Sequence, residues 1–356
     1  MAYLFGFTVN ALRNIRALDV DLTPDEGREF KHLIITGPNG SGKTSLLKAL
    51  FDSWSLKPTE PSPRRGGPVS TRFGPFQNIA AIAFFEARRR PDLKNTVSPN
   101  NYQPDMDATS AHLLQYLVNR KTEQAFAAAD GDTATVDKIE AWFAEVLRQL
   151  RGLFESPEMT WTFDRRSYQF TLKHPSGFEH DLTLLADGHA AAVAVFGELL
   201  LMQETIRGRP DPRDAIVLID EVEAHLHVSL QEQILPLLTS FFPRTQFIVA
   251  THSPAVICSI DNALVVDLGH PERRQRSEDL QGIPYGALMT SHFGLANDFD
   301  LQSAADLDAL RALANRSDLS AEETAQRDAL AGSLTRRSPY MALRVWEILQ
   351  GVEPTP

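Results

Sequence analysis

The chain has 356 residues, enough for about two domains with full cores, and its 43% hydrophobic against 23% charged content excludes wholesale disorder. Its 35 basic and 46 acidic residues leave a formal charge of −11, which argues against a dedicated nucleic-acid coat but not against a local basic patch. One cysteine, Cys258, excludes an internal disulfide framework and fits a reducing compartment.

The first residues lack a basic region followed by an apolar run, and the apolar stretch around Ala190 to Met202 is broken by Glu198 and too short to span a bilayer. The expectation is a soluble cytoplasmic protein with no membrane association. Alternation over residues 3–22 predicts two strands, and Leu33-Ile34-Ile35 a buried one. A helix follows through Leu46, Leu47, Leu50 and Phe51, then a Pro-, Gly- and Arg-rich loop over 58–75. Further along come a strand at 79–85, helices at about 107–129 and 133–153, and a hairpin at 161–172. A long helix begins just after Asp187-Gly188. Apolar strands at 215–220 and 246–250 flank a helix at about 230–241, and a last strand covers 264–268. Beyond Gly294 the spacing is helical. The fold class is α/β: a mixed sheet around a P-loop, divided as 1–54, an inserted helical lid with a hairpin at 55–180, a second head lobe at 181–268, and a helical tail at 269–356.

The chemistry centres on Gly37-Pro38-Asn39-Gly40-Ser41-Gly42-Lys43-Thr44, a complete G-x-x-x-x-G-K-[ST] after an apolar strand and before a helix, with Ser45 next in the helix. Glycines let backbone N–H groups wrap phosphates, and the helix start adds a favourable dipole. Lys43 would reach the β- and γ-phosphates and Thr44 a Mg²⁺ ion. Asp220, at the end of an apolar strand, would hold the same Mg²⁺, and Glu221 would polarise the attacking water as general base. His252, in Thr251-His252-Ser253-Pro254 one strand later, is placed to sense the γ-phosphate. The absence of an Asn-Lys-x-Asp motif favours ATP over GTP.

These segments, with Leu185-Ala186-Asp187-Gly188-His189 and Ile219-Asp220-Glu221-Val222-Glu223-Ala224-His225-Leu226-His227, resemble the ABC-type ATPase clan. Within it the chain is similar to SMC-like ATPases without long coiled coils, such as the ATPase subunits of Septu, retron-associated and related anti-phage modules. The resemblance covers residues 1 to about 268 and, more loosely, the tail beyond Gly282. It implies head-to-head dimers in which each ATP lies between the P-loop of one subunit and the signature, Asp187 and Gly188 here, of the other. The signature serine of the clan is replaced by Ala186, so one hydrogen bond to a charged group, worth about 1.5–3 kcal/mol, is lost and slow hydrolysis is expected. The implied Mg²⁺-sensing glutamine has Gln77 as its candidate, with a solvated loop residue as the alternative.

Residues 55–90 hold Lys57, Arg64, Arg65, Arg72, Arg88, Arg89 and Arg90 against Glu60 and Glu86, which reads equally as a nucleic-acid patch and as a solvated, salt-bridged loop. His225 and His227 have a chelating spacing, but the sequence supplies no third ligand. Asp298, Asp300, Asp306 and Asp308 suit helix N-caps better than a nuclease metal site, with Asp306 ahead of Leu307 as the example. The leading reading is an ATP-driven dimeric switch controlling a separate effector, a nuclease or toxin, with the tail as its platform. The alternatives are a DNA-end-binding or repair ATPase and, further off, a transporter ATPase subunit. Only about 145 residues separate Lys43 from Gly188, too few for a long coiled-coil arm at about 1.5 Å per residue.

Overall fold

The computed structural model describes residues 3–54, 69–73, 79–87, 93, 98–100, 102, 110–207, 214–293 and 299–351. The N-terminal alternation forms the antiparallel pair β1 (Leu4–Leu12) and β2 (Ile15–Asp21), followed by the wholly buried β3 (His32–Thr36) and α1 (Lys43–Trp54). The expected loop at 58–75 is corrected at its end, where β4 (Val69–Phe73) pairs with β1. Val69 and Phe73 pack on the core, with Phe73 edge-on to Trp54, so cross-strand pairing overrides the turn-forming composition just before them.

The chain continues with β5 (Ile79–Phe85), a 3-10 turn (Ser110–His112), and the helical hairpin α2 (Leu113–Ala129) and α3 (Thr133–Leu153). A three-stranded antiparallel meander then runs through β6 (Thr160–Asp164), β7 (Gln169–Lys173) and β8 (Glu179–Asp181), the last not foreseen from the sequence. Next come α4 (Asp187–Arg207), β9 (Asp214–Ile219), α5 (Val228–Phe241), β10 (Thr245–Ala250), α6 (Pro254–Ile257), β11 (Ala263–Asp267), β12 (Arg274–Arg276) and α7 (Ser277–Leu280). Glu204 of α4 accepts hydrogen bonds from Tyr116 Oη at 2.9 Å and Trp142 Nε1 at 3.1 Å, which fastens the helical hairpin to α4.

The central sheet has the order β12-β11-β3-β10-β9-β5, parallel throughout except for β12. Strands buried on both faces must be apolar at successive positions, and the runs in β3, β9 and β10 are. Helix α1 places Leu46, Leu47 and Leu50 in one core with Phe7 and Leu18 of the N-terminal sheet and Ile216 and Ile248 of the central one. Gln246, fully buried in β10, joins the two sheets: its amide exchanges hydrogen bonds with the Leu4 backbone at 2.8 and 2.9 Å and donates to Lys31 O at 2.7 Å. A buried amide with both N–H groups and its oxygen bonded fixes register, and those bonds offset the cost of removing it from water.

His32 sits in β3 beside Phe30 and Phe247, its Nδ1 accepting the Phe247 N–H at 3.1 Å. Burial pushes its pKa down to about 4, from 6.5. The unfolded chain therefore binds the proton first as pH falls, so stability held above 6.5 is lost between 6.5 and about 4, to a limit of about 3 kcal/mol. Urea midpoints should drop over this window in the wild type and drop less in His32→Asn; equal slopes would remove the histidine from the account.

Residues 283–356 form a second compact unit, with α8 (Tyr285–Phe293), α9 (Leu301–Ala314), α10 (Ala321–Thr335) and α11 (Pro339–Leu349). Leu307, Leu310, Leu334, Met341 and Val345 make its small core. The N-cap of α9 is Asp300, which accepts from the Gln302 and Ser303 N–H groups. Asp306 lies within the helix and pairs with Arg337, correcting the expectation that it caps.

Candidate active site

Three neighbouring parallel strands, β3, β10 and β9, end side by side, and each delivers one part of the site from its carboxyl end. This is where open α/β sheets present loops to ligands. The loop after β3 starts at Gly37, with φ +130°, where a Cβ would stand 3.0 Å from Asp267 Oδ1. Both the backbone angle and the space demand glycine. The loop then exposes Pro38, Asn39 and Gly40 before entering α1.

Lys43 is buried, and its ammonium lies in the loop's curve, donating to Gly37 O at 2.9 Å and Pro38 O at 3.2 Å. Burial lowers its pKa, opposed by the carboxylates of Asp220, Glu221, Glu223 and Asp267. Thr44, exposed at the first turn, donates its hydroxyl to Asp220 Oδ2 at 2.8 Å, although the two residues stand 176 positions apart. A hydroxyl and a buried carboxylate in contact beside a phosphate-binding loop are the hard oxygen donors a Mg²⁺ ion takes, so the residues present fit that ion. When bound there it would neutralise charge on the β- and γ-phosphates.

Glu221 follows Asp220 with φ +46°, a left-handed conformation that costs about 1 kcal/mol or more for a residue with a Cβ. That kink turns the chain out of β9 into a tight loop, closed by Ala224 N–H to Glu221 O and Leu226 N–H to Glu223 O, both 2.9 Å. His252 is half-buried after β10; burial, and secondarily Lys43, lowers its pKa, with Asp220 pulling the other way. A neutral imidazole that accepts or donates one hydrogen bond is the form this environment favours.

The segment expected to serve as the signature opens α4. Ala186 and Asp187 are exposed, and Ala186 O accepts the Ala190 N–H at 2.9 Å, which makes Ala186 the residue ahead of the helix. Serine there would cap the helix, and alanine cannot. Gly188 lies against the loop after β9: a Cβ on it would be 2.7 Å from His225 O. His189 is taken up by stacking on Phe154, ring centroids 4.7 Å apart at 11°. His227 caps α5, with Nδ1 3.0 Å from Ser229 Oγ.

Gly37 to Ser45, Asp220, Glu221 and His252 thus share one end of the central sheet. Gln77, Arg64, Arg65, Arg88, Arg89 and Arg90 lie outside the described residues. Three contributors escaped the sequence reading. Asn14, at the tip between β1 and β2, donates to Gly40 O at 2.7 Å and steadies the phosphate loop. Glu223 and Gln231 bind the loop after β10. The acidic spacing Asp220-Glu221-x-Glu223 was visible, but the partner of Glu223 was not.

The family profile described as "AAA domain, putative AbiEii toxin, Type IV TA system" matches residues 87–258, just under half of the chain. The chain is 33% identical over 114 residues to the "Septu protein PtuA" of Bacillus mycoides (strain KBAB4), covering 31% of this chain and 16% of that protein. It is 42% identical over 67 residues to the "Retron Ec83 probable ATPase" of Escherichia coli, 19% of this chain and 12% of the relative. The matched stretch therefore spans under a fifth of either relative's length. Among solved structures it aligns with an SMC head bound to the C-terminal winged-helix domain of ScpA, at TM-score 0.41 and 13% identity, covering 79% of this chain and all of that one. Among the described residues no helix is long and apolar enough to cross a membrane. Over the matched stretches the chain is similar to the Septu and retron ATPases, and its site has the layout of a P-loop with a carboxylate brought to its threonine.

Proposed function

We propose that the protein binds ATP with Mg²⁺, closes head to head on a second copy around the nucleotide, hydrolyses it slowly, and uses that cycle in the cytoplasm to control a separate effector in anti-phage defence. The observation that carries the proposal is the meeting of Thr44 with Asp220 at the mouth of the P-loop, with Glu221 next in the chain and His252 at the end of the strand between. The phosphate loop and α1 bind the triphosphate, Lys43 leaves its loop carbonyls for the anion, and Thr44 with Asp220 would hold the metal ion. Glu221 accepts a proton from the attacking water, and His252 donates a hydrogen bond to the γ-phosphate side. The exposed start of α4, with Asp187 and Gly188, supplies backbone N–H groups to the partner's nucleotide.

The reading of the effector rests on kinship to the Septu and retron proteins alone. Dimerisation and slow turnover share one test. Light scattering should show a shift from monomer to dimer with ATP and not with ADP, and Ala186→Ser should raise both turnover and thermal midpoint. The added hydroxyl restores a hydrogen bond worth about 1.5–3 kcal/mol across the interface, and caps α4 for about 1 kcal/mol. A monomer at all nucleotide concentrations, or an unchanged Ala186→Ser rate, would sink it.

A further inference from the structure

Two side chains outside the ATP-contacting set tie the loop after β10 to the loop after β9. Glu223 Oε1 accepts the His252 backbone N–H at 2.5 Å, and Oε2 accepts the Thr251 hydroxyl at 2.8 Å. Thr251 Oγ1 in turn accepts the Ser253 N–H at 2.9 Å. From the other side, Gln231 of α5 takes a hydrogen bond from Ser253 Oγ at 2.7 Å and donates one to Leu226 O at 2.9 Å. Residues 251–253 are thereby held at both ends to the turn 221–226. That turn carries the His225 carbonyl on which Gly188 lies, too close for any Cβ.

We infer that Glu223 and Gln231 are positioning residues that bracket the His252 loop to the 221–226 turn, so that His252 at the nucleotide and the signature at Gly188 move together within one protomer. This rests on the ATPase reading above and adds to it an internal link between the two halves of the composite site. The bonds suit the task. A carboxylate gripping a backbone N–H and a hydroxyl makes charge-assisted bonds, roughly twice as strong as neutral ones, and a backbone donor cannot swing away by a rotamer change. Glu223 grips the amide of His252 itself, so the histidine's backbone is fixed whichever rotamer its ring adopts. On balance burial raises the Glu223 pKa, and the donors at 251 and 252 offset only part of that rise. With no Cβ at Gly188, a displacement of the 221–226 backbone passes directly to the first turn of α4.

The bracket is read in Glu223→Gln, which keeps the shape but offers one acceptor to two donors, with Gln231→Ala as a second variant that leaves Glu223 intact. Three quantities are measured in the full chain: the Kd of a fluorescent ATP analogue, ATP turnover, and amide hydrogen exchange in the peptide holding residues 251–253. The expected result in each variant is a Kd within about threefold of wild type, turnover down by about tenfold or more, and exchange at 251–253 at least tenfold faster. Glu223→Gln combined with His252→Ala should lose no more turnover than His252→Ala alone, because a residue acting through another adds nothing once that other is gone. Multiplied losses in the double variant, a Kd that rises in step with the fall in turnover, or unchanged exchange in both single variants would overturn the bracket. A wild type without turnover but with exchange that responds to Glu223→Gln ends the hydrolytic reading and leaves the bracket standing.

Discussion

Glu221→Gln is expected to lower ATP turnover by about 10²–10⁴-fold while leaving nucleotide affinity equal or slightly higher. Glutamine matches glutamate in size, so the backbone at φ +46° carries the same strain and the loop after β9 keeps its path. What disappears is the group that accepts the water's proton. One negative charge also leaves a cluster where Asp220 and Glu223 remain, which eases the approach of a polyanion. If ATP closes the proposed dimer, binding without release holds it shut, and the variant should accumulate as an ATP-dependent dimer that persists through gel filtration. Phosphate release, nucleotide titration and light scattering check the three parts. Turnover like that of the wild type would remove Glu221 from the base role.

The second large effect is expected from Lys43→Met. In the folded chain burial disfavours the charged ammonium, and the carboxylates of Asp220, Glu221, Glu223 and Asp267 offset that only in part. The sign follows from the lowered pKa: the folded state holds this proton less tightly than the unfolded chain does, so charged Lys43 disfavours folding until an anion arrives. Methionine keeps the apolar stem and drops the charge, and the nucleotide-free thermal midpoint should stay within about 2–3 °C of wild type, on the scale of at most ~1 kcal/mol for a protein of this size. ATP affinity should fall by at least ~30-fold, since deleting one side of a desolvated, hydrogen-bonded charge pair costs about 2–5 kcal/mol. The rise in thermal midpoint that ATP gives the wild type by mass action should vanish with it. An ATP-stabilised Lys43→Met protein would contradict this account of the loop.

The apolar runs of β3, β9 and β10 are buried on both faces, and burial on both faces leaves a local trace that needs no knowledge of partners. The helix expected at about 133–153 is α3, whose apolar positions recur at helical spacing and whose start Asp132 caps. The strand β4 was not: its five residues follow a Pro- and Gly-rich stretch and become a strand only because β1 offers a free edge some 60 positions earlier in the chain. Local signals also misplace Asp306, since a helix start at Leu307 and one at Leu301 both satisfy the apolar spacing, and Asp300 wins by bonding two N–H groups. Within the site, the P-loop and Asp220-Glu221 are contiguous motifs and could be read directly. Asn14, Glu223 and Gln231 act on backbone atoms 26, 29 and 5 positions away, and nothing in a residue's own neighbourhood announces such a partner.

The sheet order has a consequence for how the protein is made. The P-loop strand β3 emerges early in synthesis, yet both of its sheet neighbours, β10 and β11, lie far downstream, as the 215-residue separation of His32 and Phe247 illustrates. Until the ribosome has delivered the chain through Asp267, β3 lacks at least one of its two sheet neighbours, and Gly37 lacks the Asp267 carboxylate it packs against. A nascent chain of the N-terminal half would hold an apolar, unpaired β3 in search of an edge, the kind of segment that aggregates or recruits a chaperone. On the proposed function, nucleotide binding therefore arrives only once β11 has been made, and a product terminated before it would carry the full P-loop motif without the ability to use it.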